Sequence, residues 1–191
     1  MSEYEDAIKE LDRLRITMIE DVEFFNKRLI EDPLNEPLIR ASIRTMYSYI
    51  ETTCYIWKNI AYLKDKRDIA LGQRIDSVLS DGEISMILEQ AYYVGENGEI
   101  RIHEIHIEPK KNLQFALKVF AKTHGLKYEH IFNKTGWNAY CEGLKIRNRL
   151  THPKSDSDLY ISEEEHDISH EVSEWFFNII INLGTDKFAI N

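Results

Sequence analysis

Residues 37–67 read PLIRASIRTMYSYIETTCYIWKNIAYLKDKR, and the fold class follows from how their apolar side chains repeat. Ile39, Ile43, Met46, Ile50, Cys54, Trp57 and Ala61 recur at steps of three and four, the spacing of one face of an α-helix. The spacing predicts a long helix from Pro37 to about Arg67, with Pro37 placed to open it. Upstream, Ile8, Leu11, Met18, Val22, Phe25 and Leu29 keep the same period, with Leu14 or Arg15 between, so a first helix is expected over Asp6 to Ile30. Glu31 to Pro37 breaks it.

Downstream the reading becomes shorter and mixed. Short helices are expected at Arg74 to Leu79 and at Glu83 to Gln90, separated by Asp81-Gly82. From Ala91 to Ile107 the helical period is lost. Tyr92-Tyr93-Val94 and Ile100-Arg101-Ile102 flank Glu96-Asn97-Gly98-Glu99, and Asn-Gly is a strong hairpin turn signal. The apolar alternation slips from Ile100 and Ile102 to Ile105 and Ile107, which predicts a bulge near His103 or Glu104. Helix returns from Lys110 to His124, with Gly125 in the C′ position, and again from Trp137 to Thr151. Ser162 and Glu165 have capping-box spacing and open a last helix whose stripe is Ile168, Val172, Trp175, Phe176, Ile179, Ile180 and Leu183. The expected fold is mainly α: one domain over residues 1–191, a helical bundle with a small β-hairpin inserted at about 91–107.

At 191 residues the chain is long enough for one full hydrophobic core, and its composition, 43% hydrophobic and 30% charged, is that of an ordinary globular protein. No stretch approaches the roughly 20 apolar residues that span a bilayer. The acidic start lacks the basic and apolar regions of a signal peptide, so a cytoplasmic protein without membrane partners is expected. Cys54 and Cys141 fall inside helical patterns, where a thiol packs as a small hydrophobe, and a disulfide between them is not expected.

The net charge of −9 argues against a broad nucleic-acid surface. One basic island stands out: Lys145, Arg147, Arg149, His152 and Lys154, with Arg40 and Arg44 as further members. Such a group suits one or a few phosphates. Within it, Arg147 precedes His152 by five residues, which on an ideal helix turns them roughly 140° apart. Pro153 pushes the residue before it out of the α region, so His152 sits where the helix breaks and can swing back toward Arg147. A guanidinium that clamps phosphate beside an imidazole is the minimum equipment for metal-free RNA phosphodiester chemistry.

The run Arg147-Asn148-Arg149-Leu150-Thr151-His152-Pro153 resembles the catalytic motif of the HEPN superfamily: an Arg, four to six residues, then a His, with a polar residue directly after the Arg. That family consists of helical, typically homodimeric ribonucleases. The resemblance implies a metal-independent endoribonuclease of a toxin–antitoxin or phage-defence system, with Arg147, Asn148 and His152 as catalytic residues and no cofactor. It implies RNA or a nucleotide as ligand, a homodimer, and an antitoxin or other protein partner. The place two residues after the His, a tyrosine in some nuclease members, is Lys154 here. The alternative is a non-catalytic HEPN-like dimer that binds a nucleotide, RNA or a protein.

Arg40, Arg44, Tyr47 and Glu51 form a polar line beside the apolar stripe of the second helix. They read either as a solvated edge with ion pairs or as the border of the motif's cleft. In the second case Arg44 and Glu51, with Arg149 and Lys154, are candidate substrate-binding residues. His166 and His170, four apart on the last helix, read as a solvated face rather than a metal pair, because no third ligand converges. His103 and His106 read as surface residues. There is no phosphate-binding glycine loop, dinucleotide fingerprint or nucleophile elbow. Trp57, Trp175 and Phe176 lie on core stripes, which leaves Trp137 and Tyr140 as the aromatics considered for base contacts.

Overall fold

The computed structural model of the chain describes residues 2–128, 132 and 134–184. In order it contains α1 (Ser2–Glu31), α2 (Glu36–Ala70), α3 (Asp81–Ile87), β1 (Gln90–Val94), β2 (Ile100–Glu104), α4 (Pro109–His124), α5 (Lys134–Thr151), a 3₁₀ turn (Asp156–Leu159) and α6 (Glu163–Gly184). The fold is mainly helical with a two-stranded antiparallel hairpin. No helix among the described residues is long and apolar enough to cross a membrane. The described residues group into two compact units whose boundaries fall inside α1, inside α2 and after α4: one holds residues 2–15 and 51–128, the other 16–50, 132 and 134–184.

In the first unit the apolar stripe of α2 meets α3 and α4. Ala61, Leu79, Ile87 and Val119 are buried together, with Tyr62, Ile84 and Phe115 packed against them. Trp57 leans on Phe120 with ring centroids 6.0 Å apart. Pro109 starts α4, and Gly125 ends it in the left-handed conformation at φ 66°, where its N–H reaches Ala121. Lys58, fully buried, pairs at 2.7 Å with Glu89, a residue held at φ 54°. Cys54, also buried, has its thiol pushed up to about 12 by desolvation. Neither Cys54 nor Cys141 is in a disulfide.

Two expectations here are corrected. Residues 74–79 are irregular, not helical, because their polar groups are spent on the end of α2. The buried carboxylate of Asp65 accepts from Ser77 Oγ and from the Val78 N–H, while the backbone N–H groups of Gln73 and Arg74 donate to the Asp68 carbonyl. Asp81 and Gly82, expected to separate two helices, form the first turn of α3, since Ser80 and Glu83 make a reciprocal capping box ahead of it.

The hairpin forms at the expected place without the expected bulge. Pairing is regular from Val94 with Ile100 to Gln90 with Glu104, and Ile105 N–H continues it to the Glu89 carbonyl at 2.8 Å. The strand simply ends at Glu104. Ile105 and Ile107, half-buried, are beyond it, whereas Ile100 and Ile102 lie on an exposed face. Gly98, at φ 79°, supplies the left-handed residue of the connection.

In the second unit α5 packs on α6. The α6 stripe is as its period requires: Val172 and Phe176 are wholly buried, Trp175, Ile179 and Leu183 nearly so. Tyr49 of α2 meets Phe176 edge-on at 5.9 Å. Truncating a fully enclosed side chain such as Phe176 costs on the order of 3–5 kcal/mol.

Candidate functional site at the end of α5

Helix α5 carries its motif at the C-terminal end, and small residues set how it is seated. Gly136 and Gly143 are one heptad apart on one face, and neither could carry a Cβ without a neighbour shifting: it would fall 2.1 Å from Trp175 Cδ1 at the first and 2.1 Å from Tyr47 Oη at the second. The aromatic rings of α2 and α6 therefore close directly on the α5 backbone. Tyr47 stacks on Tyr140 at 5.8 Å and donates its hydroxyl to the Tyr140 carbonyl at 3.3 Å. Tyr140 in turn lies 5.8 Å from Trp175. Tyr140 is thus 1% exposed and belongs to the core, which removes it as a base contact. Trp137 is half-buried in the same cluster, 6.3 Å from Trp175.

Arg147 follows on this helix, half-buried, and its Nη1 donates to Asn148 Oδ1 at 3.1 Å. Its cation also acts on Tyr47. Burial holds that phenol well above its ordinary range, charge on Cys141 adds to the rise, and Arg147 opposes it. The hydroxyl therefore stays protonated and remains a donor.

The helix ends at Thr151, one residue before His152, as Pro153 requires. His152 is exposed, and its backbone N–H still closes a helical bond to the Asn148 carbonyl at 3.0 Å. Thr151 Oγ1 donates to the Arg147 carbonyl at 2.8 Å. Beyond Pro153, Asp158 Oδ2 accepts from the backbone N–H groups of Lys154 (2.7 Å) and Ser155 (3.0 Å). Those bonds, the Lys154 one first, hold its carboxyl below the usual range. Lys154 itself is exposed.

Three arginines donate to backbone carbonyls around this helix end, Arg44 to one of α5 itself and Arg40 and Arg149 to those of the 3₁₀ turn and the residue after it. Arg44 donates through Nη2 and Nε to the Leu150 carbonyl at 2.6 and 3.2 Å, and Arg40 donates to the Leu159 carbonyl at 3.2 Å. Arg149 is the most heavily engaged. Its Nη1 reaches the Asp158 and Tyr160 carbonyls, and its Nη2 both oxygens of Glu165, all at 2.7 Å. Glu165 also completes the capping box of α6, accepting from Ser162 N–H at 3.1 Å while Ser162 Oγ accepts from Glu165 N–H at 3.2 Å. Cations at a helix C-terminus satisfy orphan carbonyls and the dipole together.

The sequence-derived candidates therefore separate. Arg147, Asn148, His152 and Lys154 are grouped at the end of α5, while Arg44 and Arg149 turn onto protein carbonyls and a carboxylate beside them. Glu51, half-buried on α2, belongs to the first unit, where its charge raises the Cys54 thiol further. Sequence reading did not find the Arg149–Glu165 latch or the Tyr47–Gly143 approach. The glycine pair inside a helix was the one available signal for the latter.

His166 and His170 are exposed on α6, and His103, exposed on β2, lies against Tyr93 at 5.6 Å. Among the described residues no three His, Cys, Asp or Glu side chains converge as a metal ion would need. Comparison of the chain with protein-family models, with curated proteins and with solved structures finds no match.

Proposed function

We propose that the chain is a HEPN-like, metal-independent endoribonuclease acting as a homodimer. The observation that carries this is the Arg147–Asn148 hydrogen bond of 3.1 Å one turn before an exposed His152, on a helix end braced by Arg44 and Arg149. In this reading Arg147 binds the scissile phosphate and stabilises its growing charge. Asn148 keeps the guanidinium oriented.

His152 accepts the proton of the ribose 2′-OH as that oxygen bonds to phosphorus. The bond to the 5′-oxygen breaks, and that oxygen takes a proton from the same histidine of a second copy, leaving a cyclic phosphate. Acid–base work of this kind contributes typically ~10²–10⁴ in rate. One imidazole serves poorly as both base and acid, which is the chemical reason for two copies. Arg44 and Arg149 act through the helix end they hold, and Lys154 adds charge for the neighbouring phosphate. RNA is the substrate, and a toxin–antitoxin or phage-defence role follows from the motif's resemblance alone.

A second reading has its own support. With Arg44 and Arg149 committed to protein acceptors, the basic island is smaller than the sequence indicates, in a chain of net charge −9. That favours a non-catalytic dimer binding a nucleotide, an RNA end or a protein. The deciding experiment is incubation of the purified protein with mixed RNA in EDTA, with end-group analysis of the products. Cleavage to cyclic phosphates that disappears in His152→Ala supports the nuclease. RNA retention that depends on Arg147 without cleavage supports the binder.

A further inference from the structure

The second unit holds an open groove of about 710 Å³ among the end of α1, the start of α2 and α6. Its floor is apolar, from Leu29, Ile39, Ile43, Met46 and Phe177. Along α6 its lining positions run from His166 through Ser169, Ser173 and Phe177 to Asn178, one continuous helical stripe about 18 Å long. That stripe is separate from the core stripe of Val172, Phe176 and Ile179. The motif residues Arg147, Asn148 and His152 are not among the described lining.

Charge says what could cover it. Glu174, exposed, is part of that lining, and Glu163 and Asp167, also exposed, lie beside the stripe on α6, with Glu171 half-buried next to them. Helix α6 contains no Lys or Arg to offset them. His170 Nδ1 lies 3.8 Å from Glu174 Oε1, an ion pair only when the histidine is protonated, and His166 is the other histidine of α6 in the lining. Asp32, next in the chain to the lining residue Pro33, is exposed at the turn after α1. Another copy of a chain with net charge −9 is poorly suited to this rim.

We infer that this groove is a docking site for a cationic amphipathic helix of a protein partner, whose apolar face enters between α2 and α6 while its Lys and Arg residues meet the carboxylates of α6. Helix-in-groove recognition takes its affinity from apolar anchors at i, i+3, i+4 and i+7 and its selectivity from flanking charge. The Ser169 and Ser173 positions leave room for those anchors.

The test uses fluorescence anisotropy with a labelled peptide of about 14 residues, built from Leu and Lys in helical period. Its controls are the same composition scrambled and a Leu/Glu counterpart. The Leu/Lys helix should bind saturably and the controls weakly. Asp167→Lys with Glu174→Lys, both at exposed positions, should weaken it by roughly tenfold or more and improve binding of the Leu/Glu helix. Reversing Glu96 and Glu99 of the hairpin connection should leave binding unchanged. Ser173→Arg, which fills the groove, should abolish binding of either peptide, and the Arg147→Ala, His152→Ala variant should bind as the wild type does. Failure of the Leu/Lys helix to bind, equal binding of its scrambled form, or indifference to the α6 reversals would overturn the inference. Loss of a dimer on Ser173→Arg would identify a second copy as the occupant and overturn it too.

Discussion

The hydroxyl of Tyr47 occupies the space that a Cβ on Gly143 would take, 2.1 Å from its ideal position. Tyr47 is on α2, Gly143 one turn ahead of Arg147 on α5, so this contact sets how closely the motif helix is held. Gly143→Ala should destabilise the protein by about 1–2 kcal/mol, overpacking outweighing the better helix propensity of Ala. Removing the hydroxyl leaves the nearest ring carbon, Cζ, at 3.3 Å, so Tyr47→Phe in the Gly143→Ala background should recover most of that loss. Urea unfolding of the two single variants and the double variant measures this. Simple additivity would mean that the two groups do not compete for space.

Arg149 is expected to behave as a brace. Arg149→Ala removes four hydrogen bonds and leaves Glu165, with a side chain 27% exposed, short of its cation, a loss of about 2–3 kcal/mol. Arg149→Lys should restore less than half, since an ammonium cannot serve two carbonyls and a carboxylate in one plane. Thermal unfolding reads the loss, and RNA affinity measured well below the midpoint should change far less than in Arg147→Ala. An Arg149→Ala protein as stable as wild type would return Arg149 to the list of ligand-binding residues.

Acid should release Glu83. Desolvation alone would raise its carboxyl, but hydrogen bonds from Lys122, the Ser80 backbone and Lys118 hold it at about 2, against an ordinary value of 4.5. A depressed carboxylate stabilises the fold fully above its unfolded value and ceases to do so as pH falls through its folded value. The stability gap between wild type and Glu83→Gln should therefore be constant above about pH 5, shrink as the pH drops below 4.5, and vanish near pH 2. Denaturant titrations across that range test it; a gap that widens toward low pH would reverse the assignment.

Assembly and chemistry should go together. Light scattering at micromolar concentration should report twice the chain mass, and mixing His152→Ala with Arg147→Ala chains should regain part of the cleavage that each lacks alone. A dimer supplies this complementation only if residues of both copies act in one site. A monomer that still cleaves RNA would remove the two-imidazole mechanism.

Much of this fold is written locally. The periods of α1, α2 and α6, Gly125 after α4, Asn97-Gly98 in the hairpin and Ser162 with Glu165 ahead of α6 involve residues within about four positions of each other, where backbone geometry leaves little choice. The motif was legible for the same reason: Arg147, Asn148 and His152 are neighbours in the chain, and Pro153 ends the helix that carries them. Local rules misled where distant groups competed. Residues 74–79 have helical spacing, yet Asp65 and the Asp68 carbonyl, in the last turns of α2, take their polar groups.

Only the tertiary structure decided which arginines of the basic island are engaged within the protein. Arg44 reaches the Leu150 carbonyl across 106 residues, and Tyr47 the Tyr140 carbonyl across 93. Composition and spacing cannot tell an arginine that awaits phosphate from one already bound to a carbonyl, because the guanidinium is the same donor to both. The groove beside α6 is also a tertiary feature, bounded by three helices whose separate stripes carry no record of one another. What the sequence by itself determined was which residues have a face to bury or a proton and a charge to offer. Packing decided which of those charges are spent inside the protein, since a buried carbonyl left unsatisfied costs about 1–3 kcal/mol and the nearest cation is drawn to it first.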